Sequence, residues 1–227
     1  MIRAILFDFD GLILDTETAV FQSWQETYRE FGVELDLELY AGCVGRGALD
    51  SQFHPLEHLE ELVGKPLDRE AVSAKRKKRN LDLIAAQSAL PGVEDYISSA
   101  KKLGLHVGLA SSSYRTWVVG HLTHLELLDQ FETIRTADDV VRAKPDPELY
   151  LRALQDLEVS PDEAIAFEDS PNGVAAAVAA GIYTVWVPNS VTRLLPCYGY
   201  DLRLGSLAEI PLGELIEGVA EPMAIAL

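Results

Sequence analysis

The chain has 227 residues, 48% of them hydrophobic and 24% charged, with a formal net charge of −17, enough for one sizeable core plus a smaller appended module. Such acidity excludes nucleic acid and anionic membrane as main partners, since gripping a phosphate backbone needs basic charge; an anionic substrate would need local cations or a metal to enter. No apolar stretch approaches the length of a membrane span, and Cys43 and Cys197 lack metal-site spacing, so a cytoplasmic protein with free thiols is expected.

The first apolar run, 2–7, reads as a buried strand that ends in Asp8-Phe9-Asp10-Gly11. Helical periodicity follows without a convincing strand: Phe21, Trp24, Tyr28 and Phe31 share one face, Leu56, Leu59, Leu62 and Val63 another, and a long helix is expected over 68–86. This predicts a helical domain over 16–87 inserted into a core formed by 1–15 and 88–227, with hinges near 11–15 and 89–92. Beyond it, strands over 107–110, 133–135, 164–167 and 184–187 alternate with helices over 93–103, 115–125, 147–157 and 171–180. Ser170-Pro171 supplies an N-cap and a first-turn proline, and Gly104 and Gly181 stand where helices end. Continuous apolar strands alternating with helices predict an α/β fold with a doubly wound, Rossmann-like parallel sheet. Such sheets bind ligands at the carboxyl ends of their strands.

Those ends carry the chemistry. The first strand ends in Asp8 and Asp10, the second in Ser111-Ser112-Ser113, the fourth in Glu168-Asp169-Ser170, and Lys144 lies in a turn before a helix. Four carboxylates at one rim repel one another, so either some are protonated or a cation sits among them. The donors are all oxygens, which favours Mg²⁺. Carboxylates, a hydroxyl, a lysine and a hard cation suit a phosphoryl group, with one carboxylate attacking phosphorus and a second moving protons.

DFDGLILDT at residues 8–16, Ser111 in GLASSS, Lys144 in AKPDPE and Glu168-Asp169 in AFEDSPNG resemble the four motifs of the haloacid dehalogenase (HAD) superfamily. Their order, with a helical insertion directly after the first motif, is similar to the subgroup with an α-helical C1 cap. That subgroup includes β-phosphoglucomutase and many small sugar-phosphate phosphatases. The resemblance covers nearly the whole chain. It implies that Asp8 is the nucleophile and a metal ligand, and that Asp10 is the general acid/base, its carbonyl also binding Mg²⁺. It implies that Ser111 and Lys144 bind phosphate, that Lys144 also holds the nucleophile, and that Asp169 is a metal ligand assisted by Glu168. Ser112, Ser113 and Arg115 are further phosphate or substrate candidates. True dehalogenases lack an acid at the position of Asp10, so carbon–halogen hydrolysis is not expected.

The mutases carry a His where this chain has Val20, and Lys-Asn where it has Tyr114-Arg115. Transfer of the phosphoryl group to water is therefore expected over transfer within a sugar. The expected activity is Mg²⁺-dependent hydrolysis of a small phosphorylated metabolite, a sugar phosphate above others, through an aspartyl phosphate on Asp8. The alternatives are a phosphosugar mutase and, in another class, a non-catalytic phospho-switch resembling response-regulator receivers. Substrate choice would lie in the loop 41–47, where Arg46 could grip a hydroxyl or a second phosphate. Lys75-Arg76-Lys77-Lys78-Arg79 is read as a solvated helix face, and His54, His58, His121 and His124 as non-ligands. A monomer or weak homodimer is expected.

Overall fold

The computed structural model describes residues 1–41 and 53–220. Chain order runs β1 (Ala4–Phe7), α1 (Thr16–Glu30), α2 (Leu37–Ala41), α3 (Pro55–Val63), α4 (Arg69–Ala85), α5 (Val93–Lys102), β2 (His106–Ala110) and α6 (Arg115–His124). It continues with β3 (Thr133–Arg135), α7 (Glu148–Leu157), β4 (Ala164–Glu168), α8 (Pro171–Ala179), β5 (Tyr183–Trp186), β6 (Leu202–Arg203) and α9 (Leu212–Ala220). Among the described residues, six strands form one parallel sheet in the order β3-β2-β1-β4-β5-β6.

Every residue of β1 is fully buried, as a strand covered on both faces must be. Alternation sends Ile5 and Phe7 to one face, against Val93, Tyr96 and Ile97 of α5 and Val118 and Leu122 of α6. Ala4 and Leu6 face the other way, against Leu149, Tyr150 and Leu154 of α7 and Ala176 and Ala177 of α8. Each of the Val, Leu, Ile and Phe side chains among them contributes roughly 1.5–3 kcal/mol on burial, and each alanine less. Phe7 pairs in register with Leu109 and with Phe167, so Asp8 emerges beside the ends of β2 and β4. The strand order reverses between β1 and β4, and the crevice at that switch point is where an open α/β sheet holds a ligand.

Between β1 and α5 the described residues hold helices α1 to α4 and no strand. Phe21 and Tyr28 are buried with Leu35, Tyr40 and Leu59, and Trp24 and Phe31 pack on them. The grouping Leu56, Leu59, Leu62, Val63 fails at Leu62, which is 48% exposed, because α3 is short and turns only its Leu59 side fully inward. The basic run is not simply solvated. Lys75 pairs with Glu30 and Arg79 with Glu26 across to α1, and Arg76 lies 4.7 Å over the Trp24 ring. His54 precedes α3, and His58 Nδ1 stands 3.0 Å from the Tyr28 hydroxyl. The two connecting segments meet: Leu90 N–H donates to the Ile13 carbonyl at 2.8 Å, and Gln87 Nε2 to the Asp15 carbonyl at 3.1 Å.

Candidate active site

A cavity of about 480 Å³ opens at the carboxyl ends of the strands. Asp8, Asp10, Ser111, Ser112, Ser113, Lys144 and Asp169 line it from the sheet side, with Glu17 and Val20 of α1 and Asn80 and Ile84 of α4 opposite. Asp8 and Asp10 both reach it because alternate residues of an extended segment share a side.

Lys144 organises the floor. Its buried Nζ stands 2.5 Å from Asp8 Oδ1 and 2.6 Å from Glu168 Oε1. The Tyr150 hydroxyl donates to the same Glu168 oxygen at 2.5 Å. Glu168 Oε2 is buried with no partner and packs against Gly173, where an added Cβ would stand only 1.8 Å away. Asp169 is placed from three sides. Asn189 Nδ2 donates to its Oδ2 at 2.8 Å, and Trp186 Nε1 donates to its carbonyl at 2.8 Å. Gly11, at φ +78°, lets the chain pass where a Cβ would lie 2.2 Å from Oδ2.

Ser111 N–H donates to the Arg135 carbonyl, which anchors the serine at the end of β2, and Ser111 Oγ accepts from Ser113 N–H at 3.0 Å. Asp10 is held at both oxygens: Ser113 Oγ donates to Oδ2 at 2.6 Å and Trp117 Nε1 to Oδ1 at 2.9 Å.

Electrostatics follow from burial. Burial, reinforced by the charge on Glu168 and opposed by Lys144, pushes Asp8 up to about 8. Burial, then Asp8 and Glu168, holds Asp169 well above the usual carboxylate range. For Lys144, burial alone would lower the pKa, but Asp8 and Glu168 outweigh it and raise it. Burial, then repulsion from Asp10 and Asp15, lifts Glu17 to about 7. One ammonium thus faces three buried carboxylates. Oxygens of Asp8, Glu168 and Asp169 lie within 4.8 Å of one another, a grouping among the described residues that could hold a metal ion. An all-oxygen donor set with an unpartnered buried carboxylate oxygen fits a hard divalent cation.

The structure therefore brings together Asp8, Asp10, Ser111, Ser112, Ser113, Lys144, Glu168 and Asp169. It does not bring Arg115, whose Nη2 donates to the Ile134 carbonyl and to Asp139 Oδ2, away from the residues lining the cavity. The first turn of α6 directs that side chain toward β3, so its expected phosphate contact is withdrawn. Of the loop expected over 41–47, Ala41 ends α2 and the rest, Arg46 included, lies outside the described residues. Several contributors escaped the sequence reading, among them Glu17, Tyr150, Trp117, Trp186, Asn189 and Gly173. Asn189 stands just after β5, where the strand-end rule applied to the other site residues would have found it.

Residues 5–187 match the family described as haloacid dehalogenase-like hydrolase. The chain is 49% identical over 217 residues to "Putative phosphatase YhcW" of Bacillus subtilis (strain 168), covering 96% of this chain and 97% of that one. It is 26% identical over 227 residues to the beta-phosphoglucomutase of the same organism, covering 95% and 94%. A crystal structure of a HAD family hydrolase from Deinococcus radiodurans R1 with bound phosphate and sodium superposes with a TM-score of 0.76 at 26% identity, covering 96% and 97%.

Proposed function

The chain belongs to the haloacid dehalogenase-like hydrolases, in their β-phosphoglucomutase-like subgroup, and is a phosphatase acting on phosphoric monoester bonds; from that premise we propose how it works and on what. Its substrate is a small phosphorylated metabolite of the sugar-phosphate class, hydrolysed through an aspartyl phosphate on Asp8. The carrying observation is the floor of the cavity, where Lys144 occupies Asp8 Oδ1 at 2.5 Å beside Asp10.

Lys144 leaves Asp8 Oδ2 as the attacking oxygen and keeps the carboxylate in one orientation, so little freedom is lost at the transition state. Oδ2 forms a bond to phosphorus as the phosphorus–oxygen bond to the leaving group breaks. Asp10 gives that leaving oxygen its proton. Water then attacks the phosphorus of the aspartyl phosphate, Asp10 takes back a proton, and Asp8 and inorganic phosphate are released. Ser111 and Lys144 orient the phosphoryl oxygens throughout. Asp8, Asp169 and the Asp10 carbonyl would hold Mg²⁺, with Glu168 behind them, and the ion would neutralise charge on the phosphoryl oxygens.

Residues 16–87 act as a cap, carrying Glu17, Val20, Asn80 and Ile84 to the far wall. Val20 offers no proton-carrying group there, which supports water over a second sugar oxygen as acceptor. Family membership and the helices following β1 set the receiver-like switch aside.

The test is Asp8→Asn. Mg²⁺-dependent phosphate release across a panel of phosphate esters is expected to fall by about three orders of magnitude or more, with circular dichroism unchanged. Turnover persisting in that variant, once contaminating phosphatase is removed, rejects Asp8 as nucleophile. Interconversion of β-glucose 1-phosphate and glucose 6-phosphate seen by NMR, without phosphate release, rejects hydrolysis.

A further inference from the structure

Asp10 accepts one donor at each oxygen, and the two donors differ in kind. Ser113 offers a hydroxyl at 2.6 Å from Oδ2, which can rotate and can accept as well as donate. Trp117 offers an indole N–H at 2.9 Å from Oδ1, which can only donate. The indole is itself held: its ring meets His121 edge-on at 4.2 Å and 74°, and His121 stacks on Phe9 at 6.2 Å. Phe9 is fully buried between the two aspartates in sequence. The contact thus ties the third residue of α6 to the segment leaving β1, and Trp117 lines the cavity beside Asp10.

We infer that Trp117 is a positioning residue for Asp10: by filling Oδ1 with a donor that cannot reverse, it fixes the carboxyl orientation and leaves Oδ2 as the oxygen that exchanges a proton with the leaving group. A proton on Oδ1 would face the indole N–H head-on. A proton on Oδ2 meets only Ser113, whose hydroxyl can turn to accept. The inference rests on the reading of Asp10 as acid/base, and it explains why a tryptophan stands on a cavity wall lined mainly by small and polar residues.

The experiment compares kcat/KM for a series of phosphate monoesters from good aryl leaving groups, such as p-nitrophenol, to poor alkyl ones. A good leaving group departs with little help from an acid, whereas an alkoxide needs its proton. Trp117→Phe removes the N–H and keeps an aromatic ring; replacement by benzothienylalanine keeps the bicyclic shape with sulfur in place of N–H, which guards against loss of folding. Both are expected to lose about tenfold or more on alkyl esters and less than about twofold on p-nitrophenyl phosphate. A merely structural contribution would lower both classes alike, and that result, or no loss in either, overturns the inference. Asp10→Asn is run alongside. If it shows the selective loss on alkyl esters and the Trp117 variants do not, the inference fails alone; if Asp10→Asn shows no selective loss, the acid/base reading falls and the inference with it.

Discussion

Gly173 shows how far a single atom governs this site. Its missing Cβ leaves room for the Glu168 carboxylate, whose Oε2 and Cδ would lie 1.8 and 2.1 Å from it. The same carboxylate holds Lys144 at 2.6 Å and accepts from Tyr150 at 2.5 Å. Gly173→Ala is therefore expected to push Glu168 off Lys144, to cost about 1–3 kcal/mol in denaturant unfolding, and to lower phosphate release by at least about tenfold. Gly120, inside α6 with nothing within 4 Å of an added Cβ, is the matched control: Gly120→Ala is expected to stabilise by roughly 0.5–1 kcal/mol with activity unchanged. An active, fully stable Gly173→Ala would show that the Glu168 position is not needed. Gly173 could not be singled out in the sequence because its role depends on a carboxylate from the preceding strand. By contrast Asp8, Ser111 and Asp169 were legible, since each directly follows a strand whose direction places it at the rim.

At the level of elements, β1, β2, β4 and β5 were readable because strands buried on both faces are apolar runs. β6 was not: two residues at the sheet edge, one of them the exposed Arg203, make no run. Trp117 and Tyr150 stayed hidden for a related reason, reaching the site from helix faces by tertiary packing without a local signature. Helix α1 carries a prediction of its own. Asp15 caps it by accepting from Thr18 N–H at 3.0 Å, and a helix N-terminus favours an anionic Glu17, yet burial with Asp10 and Asp15 nearby wins and lifts Glu17 to about 7. The unfolded chain ionises Glu17 near the usual 4.5 while the folded chain keeps it protonated to about 7. Stability is therefore lost as pH rises through that window. In metal-free protein, Glu17→Gln should raise the melting temperature by roughly 2–4 °C at pH 8 and leave it unchanged at pH 4. An equal gain at both values would point to packing instead of charge.

The whole molecule carries a formal charge of −17 and still gathers carboxylates at the switch point of its sheet, an arrangement that repulsion alone would scatter. The strand ends fix these groups whether or not charge favours it. Asp8 and Glu168 emerge side by side because Phe7 pairs with Phe167, and the hydrophobic layers above and below β1 hold that register. The fold thus bears the electrostatic cost of a site that a bound cation would relieve, and metal binding there would be coupled to folding. At a hundredfold excess over its dissociation constant, Mg²⁺ would stabilise the folded chain by about 2.7 kcal/mol, a rise in melting temperature of roughly 5–10 °C. Because so acidic a chain responds to any salt through screening, the comparison must be made against NaCl at equal ionic strength. The rise should vanish with a chelator and fall sharply in Asp169→Asn, whose side chain keeps the shape but not the charge that the cation meets. Equal stabilisation by NaCl, or an undiminished Mg²⁺ response in Asp169→Asn, would mean that the carboxylates at the rim hold no such ion.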